Sequence, residues 1–412
     1  MTLPQSSTFS TSEKRVLLIT CPTHFFCHFF ILVFPAVTMP LVADLRMPIE
    51  NVVKLSFFMY LCFGLFALPV GMIVDRWAAK PMLAIGQCLM GGGMLAAGLV
   101  ASPTGMMAAL GVVGIGASVY HPTGLALISR TVDQRGMALG INGVFGNLGI
   151  ASAPLVTGIL TWLIGWRMAF VALGILGLAV GAAIAAIRVD ETTSARGRKS
   201  TDAGGTELAG YFAILCVALV FAGFAYRGNM LLLPAYLELK TTFFSDLLQS
   251  VSFVRTQGTA TLAATVLTSV VLLTGIFGQI LGGRLADRMD LRRAYALYHG
   301  LSLPFILGMA FSSNYLLAVC AAGYTFFSLG MQPIENSLIA ALTPHKWRST
   351  SFAVKFILNF GVGASVVYMI APIKNAFSFE MVYVFLAGAT AALVASAFVL
   401  LVASRRLATV RN

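Results

Sequence analysis

Three histidines in two apolar stretches are the residues of this chain best placed to do chemistry. His24 and His28 lie four residues apart, so a helix would put both on one face. His121 precedes Pro122 in the apolar stretch GIGASVYHPTGLALISR, residues 114–130. Imidazoles titrate near neutral pH, so these side chains could carry protons. The structural alternatives are a packed histidine pair in the first stretch, and in the second a helix kink with or without a substrate contact.

Three charged side chains in apolar surroundings add to this set. Arg227 and Lys355 are cations, and Glu335 is the acid that falls near the middle of a predicted membrane helix. A buried arginine keeps its charge and needs an anionic partner, so Glu335 could neutralise either cation. One acid against two cations leaves surplus positive charge, which favours an anionic or phosphonate-like substrate over a cationic drug. A purely structural ion pair is the alternative.

The elements that must position these residues are predicted to be membrane helices. Of the 412 residues, 58% are hydrophobic and 10% are charged, whereas soluble proteins average about 25% charged residues. Apolar stretches of about 20 residues, long enough to cross a bilayer, recur along the chain. We predict twelve helices, over residues 16–43, 51–74, 82–101, 104–128, 136–163, 166–187, 209–238, 259–284, 294–311, 315–341, 349–373 and 379–404.

The predicted fold class is an all-α integral membrane protein made of two pseudo-symmetric six-helix bundles. The bundles comprise residues 1–187 and 209–412, and the polar residues 188–208 form a flexible linker. If both termini are cytoplasmic, the inner segments hold nineteen of the 27 lysines and arginines and the outer segments hold six. This asymmetry agrees with the positive-inside rule and explains the net charge of +12 without a nucleic-acid partner. A short helix within residues 243–255 is predicted on the outer surface.

The two predicted bundles repeat one another in sequence. Three residues of the loop after the second helix recur after the eighth, and one proline recurs as well: Gly71, Asp75, Arg76 and Pro122 correspond to Gly283, Asp287, Arg288 and Pro333. The repeat places His121 opposite Gln332. It also places His28 opposite Arg227. Internal repeats of this kind indicate a transporter with its substrate site between the repeats.

The loop sequence GMIVDRWAAKP, from Gly71 to Pro81, resembles the signature of the major facilitator superfamily, with Lys80 near its last basic residue. The resemblance covers the full chain and implies alternating access around a central site. It also implies that Asp75 and Asp287 hold helix ends and basic partners at a cytoplasmic gate. Glycine at Gly71 and Gly283 would let a neighbouring helix approach closely. A merely structural loop is the alternative.

Two narrower resemblances concern individual helices. The His-Pro pair at residues 121–122 and the Asn-Leu-Gly run at residues 147–149 are similar to helices 4 and 5 of fosmidomycin-resistance-type efflux pumps. His28 departs from that pattern, because an acidic residue is expected there. Lys355 on helix 11 is similar in placement to a lysine of oxalate:formate antiporters, where that lysine handles a carboxylate.

The sequence therefore predicts a secondary transporter of the bacterial inner membrane, not an enzyme. No GxSxG, HExxH or P-loop motif is present, and neither a catalytic residue nor a metal site is predicted. The predicted cargo is a small organic anion or an amphiphilic, phosphonate-like drug, and no cofactor is expected beyond a coupling proton that Glu335 and the histidines would carry. The alternatives are carboxylate uptake or anion exchange without proton coupling, and a transporter-like ligand sensor.

The expected partners are the small-molecule substrate and membrane lipid, and the chain is expected to act as a monomer. The proposed pathway for substrate and protons comprises His24, His28, Tyr120, His121, Arg227, Gln332, Glu335 and Lys355. Neutral hydrogen-bonding groups that could line the cavity are Asn142, Asn147, Tyr226, Asn229 and Asn359. The predicted helix kinks lie at Pro122 and Pro333.

Overall fold

The structure is a computed structural model that describes residues 9–74, 76–189, 191, 205–250, 258–344 and 347–405. Every regular element within these ranges is a helix. In this part of the chain, ten helices are long and apolar enough to cross a membrane. One of them, Arg135–Ala186, is divided at Gly165, whose φ of +81° is not helical, and Leu291–Ala310 adds a helix of 20 residues. The predicted all-α membrane fold is confirmed, and its helices are consistent with twelve spans.

We number these spans α1 to α12. In the first half, α1 is Thr11–Ala36 with Thr38–Leu45, α2 is Ile49–Lys54 with Phe57–Leu65 and Ala67–Val74, α3 is Ala79–Leu99, α4 is Pro103–Ser118 with Tyr120–Thr131, and α5 and α6 are the two arms of Arg135–Ala186. In the second half, α7 is Gly205–Lys240, α8 is Thr259–Ala286, α9 is Leu291–Ala310, α10 is Asn314–Gly330 with Gln332–Ala341, α11 is Arg348–Phe356 continued to Val366–Ala376, and α12 is Phe379–Ala403. The short helix Phe243–Gln249 lies between α7 and α8, within the predicted surface segment.

Spans α4 and α10 are interrupted at corresponding points of the sequence repeat. Val119 separates the two pieces of α4 and Met331 separates those of α10. Each interruption comes shortly before a proline, which lacks the N–H that would continue the helical bonding. His121 therefore lies in the first turn of a new helical piece.

The middle of α11 is irregular. Its regular helix gives way to a π-helical segment, Ile357–Gly361, and then to a 3₁₀ segment, Val362–Ser365. π-Helical segments often occur at functional sites. Here the segment carries Phe360, which faces the site described below.

The two halves pack closely where glycine removes the side chain from a helix crossing. A Cβ on Gly64 of α2 would overlap the Gly361 backbone nitrogen and lie 2.9 Å from the Phe356 carbonyl oxygen. At the crossing of α5 and α8, a Cβ on Gly158 would overlap the side chain of Thr265. Small residues allow such close approach between membrane helices. The faces that α2 and α5 present to the second half are therefore set by glycine.

Three ion pairs of the described residues lie at the end of the molecule where α1 ends. Asp44 of α1 pairs with Arg167 of α6 at 3.5 Å, and Lys240 of α7 pairs with Glu380 of α12. The third pair joins the two halves, because Lys374 Nζ of α11 lies 2.9 Å from Glu50 Oε2 of α2.

The loop signature adopts an arrangement that differs from the expectation in one respect. Gly283 faces open space, and its neighbour Gly282 makes the close helix contact, since a Cβ there would overlap the Gly330 carbonyl oxygen. A one-residue step on a helix turns the side chain by about 100°, so alignment with Gly71 did not identify the packing face.

Candidate functional site

The three histidines predicted to do chemistry meet within the first half, beside the second half of the chain. His24 and His28 lie one turn apart on α1, and the interruption of α4 brings His121 against them. The ring centroids of His24 and His28 are 5.1 Å apart, and His121 lies 5.4 Å and 5.2 Å from these two rings. One ring nitrogen from each histidine lies within 4.8 Å of the others. We call His24, His28 and His121 the histidine cluster.

His24 is held in place by α4 and α5. Its Nδ1 lies 2.8 Å from the Asn142 backbone oxygen and 2.9 Å from Asn142 Oδ1. The Tyr120 ring stacks on the His24 ring at 4.3 Å, and the Tyr120 hydroxyl donates a hydrogen bond to Asn142 Oδ1. Because both oxygens accept, His24 Nδ1 carries the proton and donates. Asn142 and Tyr120 thus position His24.

Gly146 gives the His24 ring its space, and its substitution tests this packing. A Cβ on Gly146 would lie 2.5 Å from His24 Cε1 and Nε2, whereas a Cβ on Gly143 of the same helix meets nothing within 4 Å. We expect Gly146→Ala to destabilise the protein by about 1–3 kcal/mol through overpacking and to weaken substrate binding. Gly143→Ala, the control, is expected to keep both properties. Thermal unfolding in detergent and ligand titration measure the effects, and equal behaviour of the two variants would contradict this role.

His121 has a ring nitrogen without a partner. Its Nε2 is buried and has no hydrogen bond to any described residue. The Phe356 ring of α11 stacks on His121 at 4.7 Å, and the Phe63 ring of α2 lies at 6.2 Å. The second half of the chain therefore supplies one wall beside the histidine cluster.

Arg227 of α7 is a buried cation enclosed by aromatic rings. Only 1% of its surface is exposed. Its guanidinium carbon lies 4.1 Å from the Tyr60 ring centroid, 4.6 Å from that of Phe360 and 5.6 Å from that of Tyr226. Nε and Nη2 have no hydrogen-bond partner among the described residues. Aromatic faces stabilise a cation, but they leave its N–H donors unsatisfied.

Glu335 pairs with Lys355 and not with Arg227. Lys355 Nζ lies 2.8 Å from Glu335 Oε1 and donates to Asn336 Oδ1 at 2.7 Å. The Tyr295 hydroxyl donates to Glu335 Oε2 at 3.1 Å. Glu335 is fully buried. The two possibilities that the sequence left open are thus resolved, and within the described ranges Arg227 has no carboxylate partner.

The predicted neutral groups fall into separate environments. Asn147 Nδ2 of α5 donates to Gln279 Oε1 at 2.6 Å, and Gln279 Nε2 donates to Gln332 Oε1 at 3.2 Å. This chain of amides links α5 to α8 and α10. Two atoms of the Asn229 amide and the Asn359 Oδ1 atom are buried without hydrogen-bond partners in the described part of the structure.

The residues of the loop signature are only partly described. Asp75 lies outside the described residues, and Arg76, Asp287 and Arg288 are exposed. The Lys80 backbone N–H donates to Glu191 Oε1 at 2.8 Å, and Ala79 donates to Glu191 Oε2 at 2.6 Å. Glu191, which belongs to the predicted linker, therefore caps the start of α3. The gating role of the loop signature stays a prediction.

Several residues at the site were not predicted from the sequence. The walls around Arg227 and His121 comprise Tyr60, Phe63, Phe356 and Phe360. Aromatic residues at helical spacing are ordinary core residues, so no signal distinguished these four. Outside these walls, the buried histidine His299 was also missed. It is 3% exposed, its ring lies 4.6 Å from that of Tyr295, and the four-residue spacing of these two on α9 was a usable signal.

The fold and this enclosed polar site are those of a secondary transporter that moves small molecules across a membrane. The chain belongs to the Major Facilitator Superfamily, because its residues 23–354 match the model of that family. It is consequently a multi-pass membrane protein and not an enzyme. The narrower resemblance to fosmidomycin-resistance-type pumps stays a prediction.

Relatives of known name include transporters of organic acids. The chain is 26% identical over 357 residues to a probable sulfoacetate transporter of Cupriavidus necator, and the match covers 78% of each chain. It is 28% identical over 125 residues to a probable L-galactonate transporter of Escherichia coli, covering 29% of this chain and 28% of that protein.

Solved structures of low sequence identity share the fold. An inward-facing, occupied structure of a bacterial homologue of the human lysosomal transporter Spinster has a TM-score of 0.69 at 17% identity and covers 98% of this chain and 99% of its own. A peptide transporter in complex with sulfate has a TM-score of 0.75 at 13% identity, with 96% coverage of both chains.

Proposed function

We propose that this protein transports small organic anions across the bacterial inner membrane by alternating access. The observation that carries the proposal is Arg227, a buried cation whose Nε and Nη2 have no hydrogen-bond partner among the described residues. A buried, unpaired charge is costly unless a ligand of opposite charge satisfies it. An anionic substrate would supply that charge and both hydrogen-bond acceptors.

The electrostatics of the site oppose a cationic drug. The carboxylate of Glu335 is engaged by Lys355 and Tyr295, and Asn336 Oδ1 accepts a hydrogen bond from the same lysine. A cation near Arg227 would therefore meet a like charge and, among the described residues, no carboxylate paired with Arg227. The names of two relatives, a sulfoacetate and an L-galactonate transporter, agree with an acidic substrate. The aromatic walls also suit an amphiphilic acid such as a phosphonate-like drug.

The proposed orientation, with both termini cytoplasmic, is supported by the distribution of basic residues. With both termini cytoplasmic, the Glu50–Lys374 ion pair lies on the outer side of the membrane. This pair and the Gly158 crossing then hold the two halves together on that side. We therefore propose that the structure represents a state closed toward the outside.

Proton coupling is proposed to run through Glu335, assisted by the histidine cluster. Protonation of Glu335 would remove the charge that holds Lys355, so that Lys355 could turn to the substrate. A conformational change needs such a difference in interaction between two states. Unprotonated Glu335 and the substrate thus compete for Lys355.

Glu335→Gln is expected to uncouple transport from the proton gradient. Glutamine cannot bind and release a proton, so accumulation in proteoliposomes should fall to the level reached without a gradient, whereas counterflow of substrate continues. Glu380→Gln is the control, because Glu380 pairs with Lys240 away from the site. Gradient-driven accumulation that is unchanged in Glu335→Gln would exclude Glu335 as the coupling group. Counterflow insensitive to pH in the unmodified protein would favour anion exchange instead.

Counterflow in proteoliposomes tests the function itself. Liposomes containing the purified chain are loaded with an unlabelled organic acid and exposed to the labelled acid, and a parallel set uses a labelled cationic dye. We expect exchange of the acid and none of the dye. Exchange of the dye alone would overturn the assignment to anions. Binding of acids without any exchange would favour the ligand-sensor alternative.

A further inference from the structure

We infer that the substrate is a two-ended acid: an acid group binds Arg227 in the second half of the chain, and an oxygen function at the other end binds His121 in the first half. This inference rests on the proposed function and adds the substrate class. It follows from two sets of unpartnered nitrogen atoms on opposite halves and from the wall between them.

The Arg227 end is built for a group with two oxygens. The rings of Tyr60 and Phe360, with centroids 4.1 Å and 4.6 Å from the guanidinium carbon, occupy space next to it. The unpartnered atoms are Nε and Nη2, which share one edge of the guanidinium and point their N–H bonds in parallel. Carboxylate, sulfonate and phosphonate groups match this edge with two oxygens. A single carbonyl or hydroxyl would leave one donor unsatisfied.

The other end is formed by His121. In the histidine cluster, His24 Nδ1 is already bonded to Asn142, whereas His121 Nε2 has no hydrogen-bond partner among the described residues. The ring of His28 lies 5.2 Å from that of His121. An imidazole nitrogen can donate to an oxygen or accept from a hydroxyl. A hydroxyl or a second acid group therefore satisfies this nitrogen.

An aromatic wall connects the two ends. The Phe360 ring, which covers Arg227, lies 5.7 Å from Phe356, and Phe356 stacks on His121 at 4.7 Å. Phe63 packs on Phe360 at 4.4 Å from the side of the first half. A wall of phenyl rings offers no hydrogen bonds, so the part of the substrate between its two ends is an apolar carbon chain.

A two-ended ligand also connects binding to movement. Arg227 and His121 belong to different halves. A ligand that binds both residues therefore binds most tightly when the halves are close together, and it stabilises that arrangement. A one-ended acid makes its hydrogen bonds to Arg227 alone, so its affinity depends less on the distance between the halves. Ligands shift a conformational equilibrium only by their differential affinity for its states. We therefore expect one-ended acids to bind and two-ended acids to be transported.

The experiment compares propionate, 3-hydroxypropionate and malonate with the full chain. Calorimetry in detergent is expected to give about tenfold tighter binding for at least one of the two-ended acids than for propionate. His121→Ala should remove that difference and leave propionate binding within about twofold. Preference for 3-hydroxypropionate or malonate identifies the second group as a hydroxyl or an acid. Counterflow should be fast only for the two-ended acids.

The controls separate this inference from the proposed function. His299→Ala removes another buried histidine whose Nε2 is unpartnered among the described residues but which lies outside the histidine cluster, and it should keep the discrimination. If His121→Ala fails to fold, His121→Gln replaces it. Glutamine retains a hydrogen-bonding side chain, so this variant should keep part of the preference for two-ended acids over propionate. Equal binding of one-ended and two-ended acids, or discrimination that survives both His121 variants, would overturn the inference alone. Absence of binding by all three acids would overturn the proposed function as well.

Discussion

Replacement of Arg227 by methionine is expected to lower the affinity for organic acids about a hundredfold and to leave thermal stability unchanged or higher. Two charge-assisted hydrogen bonds are lost, which accounts for the affinity. Stability is preserved because methionine can pack between Tyr60 and Phe360. In addition, the variant no longer pays the desolvation cost of burying a charge that lacks a carboxylate partner. Calorimetry and thermal unfolding in detergent measure the two quantities on one sample.

Arg227→Lys is the matched variant, since it keeps the charge but removes the two parallel N–H donors of the guanidinium edge. An affinity between those of the unmodified protein and Arg227→Met is expected. A purely structural arginine would behave in the opposite way, with stability lost and acid affinity retained. That result would contradict the anion-binding role.

Gly64→Ala is expected to be the most damaging single-methyl change at the interface between the halves. Its Cβ would overlap the Gly361 backbone nitrogen and lie 2.9 Å from the Phe356 carbonyl oxygen, and neither backbone atom can move independently. Overpacking of this kind costs about 1–3 kcal/mol. We expect a lower thermal unfolding temperature in detergent and slower counterflow, because α2 and α11 cannot reach their close contact.

Gly361→Ala provides the control at the same crossing. A Cβ on Gly361 would lie 3.9 Å from its nearest neighbours, so alanine fits without displacement. Alanine also favours a helix over glycine by about 1 kcal/mol. Unchanged or raised stability is therefore expected. Equal losses in both variants would show that the crossing does not depend on the atoms named here.

The membrane fold could be predicted because apolar stretches of membrane length leave few alternatives. Helix ends were less certain: the ninth helix was predicted over 294–311, and the structure gives Leu291–Ala310. Asp290 explains the earlier start, because its side chain accepts hydrogen bonds from the Arg292 and Arg293 backbone N–H groups. The predicted surface helix within 243–255 corresponds to Phe243–Gln249, and residues 251–257 of that segment lie outside the described part of the chain.

The site was predictable in its members but not in its pairings. Charged residues and histidines stand out in an apolar sequence, so Arg227, Glu335 and Lys355 were all found. Which cation forms the ion pair with Glu335 depends on how α7, α10 and α11 pack against one another. Hydrophobic patterning reports which face of a helix is apolar and carries no information on those distances. The rings of Tyr60 and Phe360 beside Arg227 were missed for the related reason that any core contains such residues.

In the proposed state closed toward the outside, the Glu50–Lys374 pair would make the equilibrium between open and closed states sensitive to ionic strength. It is an ion pair between the halves whose lysine side chain remains 29% exposed. An exposed pair stabilises one state by no more than about 1 kcal/mol, equivalent to roughly a fivefold change in populations, and the buried Glu50 places this pair near the upper end of that range. Ions screen partly exposed charges within about 10 Å at 0.1 M salt. The salinity of the surrounding medium would thus set how often the outer side opens, before any substrate arrives.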